Sequence, residues 1–302
     1  MRNNFWKSWG LGGLGIVIVL LIIANVCVNE LLNLNFGVIK FCGGSLPFVK
    51  QIDKMLTGKY VVLLQNNYEL RATGGFVGSY AVVDFKNGIN VYVKDIYDAD
   101  GKLPGHVEPP YPIQEAFGQG WWRLRDANWD VEFFEAAKDI DWFLEQGGEK
   151  DIDGIVAVNM ELFKKWLDVF GGVEVVTYGQ KVTSKNMYVL AQREAEENFV
   201  PGSTQKRDFL GAVGTALLER TKNANALELM KLVKLSWGEL KSRQVFLWFR
   251  DKELQAEAAK WRWDGSLGKT PEGVGYLYVV ESNLGANKAN CCVEREVTQE
   301  VT

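Results

Sequence analysis

The hydrophobic pattern divides the chain into stretches of different character. From Ser8 to Asn29 no residue is charged, and SWGLGGLGIVIVLLIIANVCVN is long enough to cross a bilayer core as one helix. Arg2 and Lys7 precede this run and Glu30 follows it, an asymmetry that leaves the N-terminus in the cytoplasm and carries the rest outside. Trp6 and Trp9 stand where an interfacial aromatic belt is expected. The run ends in Asn25-Val26-Cys27-Val28 with no small-x-small site, which favours a retained anchor over a cleaved signal peptide. Residues 1–29 are therefore expected to be a cytoplasmic tip and a single-pass anchor, with the cell membrane as a partner through residues 8–29. Residues 30–58 read as a stalk, broken at Cys42-Gly43-Gly44-Ser45-Leu46-Pro47 and followed by a short amphipathic helix.

Beyond the stalk, short apolar runs alternate with helical periodicity. Lys59 to Gln65 reads as a buried central strand, and Phe76 to Phe85 and Ile89 to Val93 flank Lys86-Asn87-Gly88 as a hairpin. Residues 101–128 carry four prolines and read as a long irregular excursion. A helix is expected over Asp130 to Glu145, capped by Asn128 or Asp130. Strand Ile155 to Val158, helix Met160 to Val169 and strand Val173 to Val176 make a compact α/β unit. Ser184 to Leu240 is helical, broken at Pro201-Gly202 and near Asn223, and Gln244 to Phe249 and Tyr276 to Val280 return to strand. Cys291 to Val301 alternates in the manner of one more strand. The expectation is an α/β domain over residues 59–290, a mixed sheet with helices packed on it, preceded by one N-terminal transmembrane helix. Residues 291–302 would begin a further β region that the chain does not complete.

Composition narrows the chemistry. Without Arg2 and Lys7 the 34 basic residues fall to 32 against 38 acidic ones, a formal charge of −6 that argues against nucleic acid as a partner. A single histidine, His106, removes most triad and metal-hydrolase machinery. Three cysteines lie beyond the anchor, Cys42, Cys291 and Cys292, with no CxxC for zinc; a bond from Cys42 to either of the others is left open.

Three polar clusters remain as candidate sites. Gln65, Asn66, Asn67, Glu69, Arg71, Thr73, Gly74 and Gly75 directly follow a buried strand, where α/β sheets place ligands and where a diglycine lets backbone approach one. The same residues serve as well in a hydrogen-bonded turn with Asn66 and Asn67 at unusual backbone angles. Asp95, Asp98 and Asp100 supply hard oxygens suited to Mg²⁺ or Ca²⁺, though without the spacing of a full calcium loop, or else form a solvated acidic turn. Arg123, Arg125 and Asp126 precede a helix and would grip a phosphate or form structural ion pairs. Trp121-Trp122 and Trp261-Arg262-Trp263 read as core plugs or as a sugar- or lipid-facing surface.

The strings VVLLQNNYELRATGGFVGSY, VKDIYDADG, RDANWD, DIDGIVAVNMELFKKWLDVFGGVEV and VVESNLGANKANCCVEREV together resemble the bacterial domain-of-unknown-function family 4012, over residues 59 to 302. Within it, Asp153-Gly154 through Leu167-Asp168-Val169-Phe170-Gly171-Gly172-Val173 is similar to a stretch of the LytR-CpsA-Psr proteins. Those are envelope phosphotransferases that move glycopolymers from polyprenyl pyrophosphate carriers with arginines, aspartates and Mg²⁺; their proline-Arg-Asp motif has no counterpart here. The resemblance implies an extracytoplasmic envelope protein whose partner is a lipid-linked glycan or cell-wall polymer. In the enzymatic form Arg71, Arg125 and Asp126 act on a pyrophosphate, Asp95, Asp98 and Asp100 hold Mg²⁺, and the stretch Phe209 to Leu235 supplies an apolar trough. The alternative is a non-catalytic envelope or adhesion module.

Overall fold

The computed structural model describes residues 51–300 apart from Leu56, 87–89, Gln119, 197–204 and Ala286. The anchor, Cys42 and most of the stalk lie outside the described residues. Among these, no helix is long and apolar enough to cross a membrane.

A five-stranded sheet organises the domain. Its strands are β1 (Lys59–Asn66), β2 (Phe76–Asp84), β3 (Asn90–Asp95), β4 (Gly154–Asn159) and β7 (Val245–Phe249), in the order β3-β2-β1-β4-β7. Only β1 and β4 run parallel; the other three pairings are antiparallel, so the sheet is mixed as expected. Helices cover both faces, which is why the central strands are apolar runs rather than alternations. Val62, Ala81, Val83, Val156 and Val158 face one layer of core, and Val61, Leu63, Val82, Ile155 and Ala157 face the other.

The first layer is built from α5 (Met160–Phe170), α6 (Met187–Glu196), α7 (Gln205–Lys222), α8 (Ala226–Lys241) and α9 (Lys252–Lys260). The second is built from α2 (Ile96–Asp100) and α4 (Phe133–Gln146), with Phe133, Ala137, Ile140 and Leu144 fully buried against the sheet. The stalk helix α1 (Ile52–Met55) precedes β1.

Several expectations are corrected. Val173–Val175 (β5) does not join the sheet but pairs with Gln180–Val182 (β6) in a separate two-stranded hairpin. The proline-rich excursion holds a regular piece, α3 (Tyr111–Phe117), because Pro112 falls in its first turn where a missing N–H costs nothing. Neither Asn128 nor Asp130 caps α4, whose N-cap is Glu132 without a side-chain cap; Asp130 instead accepts the Glu132 N–H in the preceding turn at 2.8 Å. Tyr276 to Val280 and residues 293–300 form no strand. Their β-like side chains stay exposed, Leu277 at 57 % and Val297 at 64 %. Trp263 is core, buried against Trp237 and stacked on Trp261, as expected of that pair.

Candidate functional site

The carboxyl ends of the parallel strands β1 and β4 deliver two different environments to the two faces of the sheet. On the α5–α7 side a partly open pocket lies between the sheet and the helices. Leu64, Val93 and Val158 form its floor and Met160, Phe163, Met187, Leu210, Val213 and Leu217 its walls. Pairing explains its shape. Leu64 faces Ser79 whereas Gln65 faces Val77, so Gly78 is an extra residue, a bulge that bends β2 beside the pocket.

Polar groups line part of this cavity. Gln65, Asn66 and Ser79 line it from the sheet, and Tyr188 and Gln192 from α6. The Ser79 hydroxyl is 2 % exposed and has no hydrogen-bond partner within the described protein. Lys288 donates to Gln192 Oε1 at 2.9 Å, and the ring of Tyr68 meets that of Tyr188 edge-on with Lys164 Nζ 5.9 Å from its centroid. Lys164 is itself paired with Glu161 at 2.6 Å, so the ammonium group that reaches a pocket-lining side chain is that of Lys288.

On the α2–α4 side the predicted charged residues form one chain of contacts. Arg71 Nη2 lies 3.3 Å from Glu69 Oε1 and 3.1 Å from Asp126 Oδ1, and Nη1 donates to the carbonyls of Leu70 and Asn283 at 3.0 and 3.2 Å. Phe76 and Phe117 hold the guanidinium between their rings. Arg125 bridges Asp126 Oδ2 and Asp100 Oδ2, each at 3.6 Å. Asp100 accepts the Leu124 N–H at 2.8 Å through its other oxygen. Burial pushes the Asp100 carboxyl up to about 6, against the opposing pull of the Leu124 N–H and of Arg125.

Arg71, Arg125, Asp126 and Asp100 therefore converge, while Asp95 and Asp98 do not join them. Asp95 caps α2 by accepting the Tyr97 N–H, and Asp98 is exposed on that helix. Among the described residues no three histidine, cysteine or acidic side chains are arranged to hold a metal ion, so Asp95, Asp98 and Asp100 do not fit Mg²⁺ by themselves.

The loop after β1 resolves as the hydrogen-bonded turn. Glu69 N donates to Asn66 O and Phe76 N to Glu69 O, at 3.0 and 2.8 Å, and Gln65 Nε2 reaches Thr73 Oγ1 at 3.3 Å. The diglycine approaches the protein itself. A Cβ on Gly74, whose φ is +134°, would stand 2.3 Å from Asn159 Oδ1, and one on Gly75 would stand 2.3 Å from the Asn66 carbonyl. Asn66 and Asn67 hold ordinary negative φ, contrary to the expectation for such a turn. Asn67 O accepts from Asn290 Nδ2 at 2.8 Å.

The pocket residues of α5 and α6, Met160, Phe163, Tyr188 and Gln192, were not singled out by sequence reasoning. They sit at ordinary apolar or amphipathic helix positions, and only the Leu, Ala and Val content of Phe209 to Leu235 pointed toward a trough.

No curated protein matches the chain. Among solved structures, the Lin1025 protein of Listeria innocua aligns at 12 % identity over 69 % of this chain and 80 % of its own, with a TM-score of 0.39. A transcriptional regulator of Enterococcus faecalis aligns at 14 % identity over 69 % and 73 %, with a TM-score of 0.40. TagT of B. subtilis aligns at 12 % identity over 70 % and 76 %, with a TM-score of 0.36. At these scores the likeness is remote, and function rests on this chain's own residues. The family described as "Protein of unknown function (DUF4012)" matches residues 57–195, a narrower span than the motifs suggested, ending in α6 and leaving out the segment around Cys291. Over these residues, which hold β1 to β6 and the polar pocket residues Gln65, Asn66, Ser79, Tyr188 and Gln192, the chain is similar to the DUF4012 family.

Proposed function

We propose that this chain is an extracytoplasmic, membrane-anchored envelope protein that binds a lipid-linked carrier of the polyprenyl phosphate class. The observation that carries this reading is the pocket over the carboxyl end of β1. Its walls are largely apolar, a few polar side chains line it beside them, and Lys288 reaches one of these, Gln192. Such a cavity suits an amphipathic ligand whose hydrocarbon is buried and whose anionic head meets the Lys288 ammonium group. The resemblance to envelope proteins that handle polyprenyl-linked glycopolymers agrees with this chemistry.

Binding is better supported than transfer. Arg71 is 3 % exposed and its terminal nitrogens are taken up by two carboxylates and two carbonyls, so engaging a pyrophosphate would first require breaking a buried network. That arrangement favours the non-catalytic form of the reading, in which Arg71, Arg125 and Asp126 hold the loops under the site in place.

The test is a titration of the full chain in detergent micelles with a short polyprenyl pyrophosphate. Leu210 lines the pocket and is only half-buried, so Leu210→Trp should fill the cavity and leave the fold intact. The expected result is saturable binding by the wild type, weakened by about tenfold or more in Leu210→Trp, in line with the loss of a well-packed apolar contact. Equal binding by both proteins, or none by the wild type, overturns the proposal.

A further inference from the structure

A continuous band of aromatic rings and guanidinium groups runs over the loops on the α2–α4 side of the sheet, away from the apolar pocket. Arg125 lies over the ring of Tyr97 at 5.4 Å and pairs with Asp100. Arg123 donates to the Asp100 carbonyl at 3.2 Å and lies over the ring of Trp121 at 4.8 Å. His106 meets Trp121 edge-on at 4.8 Å. Although held by these contacts, Trp121 and Tyr97 remain 47 % and 55 % exposed. Large flat rings fixed in place yet open to water are a costly surface unless something covers them.

At the centre of the band lies an unusual acceptor. Asp100 is 5 % exposed, its Oδ1 accepts the Leu124 N–H, and its Oδ2 has no hydrogen-bond donor within the described protein. Arg125 Nη1 stands 3.6 Å from that oxygen, close enough for charge attraction but too far for a hydrogen bond.

We propose that this band is a saccharide-binding surface, with the apolar faces of a sugar chain lying against Trp121 and Tyr97 and its rim hydroxyls meeting the half-buried guanidinium groups of Arg123 and Arg125. A sugar ring offers both chemistries at once, C–H groups on its faces and hydroxyls at its rim. The rings are already immobilised by the guanidinium groups, so little side-chain freedom is lost on binding. An anionic ligand is disfavoured, because Arg125 is already paired with Asp100 and Asp126 and Arg123 is taken up by the Asp100 carbonyl and the ring of Trp121. The site takes its residues from α2 and the loop before α4, and none of them lines the pocket, so it stands whether or not the lipid reading does.

The experiment uses the full chain in a detergent without a sugar headgroup. Chitotetraose, cellotetraose, maltotetraose and mannotetraose are each titrated while tryptophan fluorescence is followed, with inorganic pyrophosphate as the anionic competitor. At least one tetrasaccharide should bind, and Trp121→Ala and Tyr97→Ala should each weaken it by about tenfold, the loss expected for a flat aromatic contact. Both side chains are exposed, so the variants should fold as the parent does, and polyprenyl pyrophosphate titration of the same samples reports the pocket separately. Failure of all four sugars to bind, binding unchanged in both variants, or displacement of the sugar by pyrophosphate would each overturn the proposal.

Discussion

Asp100 shows how one side chain couples the stability of this domain to pH. Its carboxyl is held at about 6 by burial, against an ordinary 3.8, so the folded chain takes up a proton before the unfolded chain does. Between those two values the native state binds more protons, and the contribution of Asp100 to stability therefore grows as pH falls through 6 and is lost as pH rises through it. Asp100→Asn abolishes this response. In urea unfolding, the stability of wild type relative to Asp100→Asn should be greater at about pH 4.5 than at about pH 7; a pH-independent difference would mean that the carboxyl titrates normally. The charge clusters around residues 71, 100 and 125 were visible in the sequence, but their state was not. What engages the terminal nitrogens of Arg71 includes the carbonyl of Asn283, 212 residues along the chain. Sequence spacing likewise could not show that Gly74 and Gly75 make room for Asn159 and Asn66 rather than for a ligand.

At the scale of elements, legibility followed burial. β1, β4 and β7 lie covered by helices on both faces and read clearly as apolar runs. Tyr276 to Val280 and residues 293–300 carry a strand-like composition, yet composition does not create a pairing edge, and both segments remain extended and exposed. Helix starts were less legible than helix bodies. The break near Asn223 was evident, whereas the device that restarts the chain was not noticed: Asn225 accepts the Glu228 N–H while Glu228 accepts the Asn225 N–H, each at 3.0 Å. The carboxyl of Glu228 is also held below its ordinary range, first by its bond to Arg220 of α7. The cap therefore joins two helices of the layer that walls the pocket. Asn225→Ala should cost about 1 kcal/mol of unfolding free energy, the usual value for losing an N-cap side chain. Thermal or urea unfolding measures it, and an unchanged midpoint would show that α8 is held by packing alone.

For the whole molecule, the sequence conveyed the class of fold but not its wiring. A mixed sheet under helices follows from apolar runs alternating with helical periodicity. That β7 returns antiparallel beside β4 after three consecutive helices, and that β5 leaves the sheet, depend on long-range pairings that no local pattern encodes. Orientation toward the membrane is the remaining property of the whole chain, and both proposed sites depend on it, because lipid-linked carriers and envelope sugars lie outside the cytoplasm. On the proposed reading, Arg2 and Lys7 before the apolar run and Glu30 after it leave the domain outside. Cys292 offers a reporter on the far side of that run, since it is exposed in the folded domain. With Cys27, Cys42 and Cys291 replaced by serine, the remaining thiol cannot be hidden in an intramolecular disulfide. After mild reduction, a membrane-impermeant maleimide should label Cys292 in intact cells to the same extent as in lysed cells. Labelling that appears only on lysis would put the domain in the cytoplasm, reverse the reading of Arg2 and Lys7, and remove the outer-leaflet carrier from reach of the pocket.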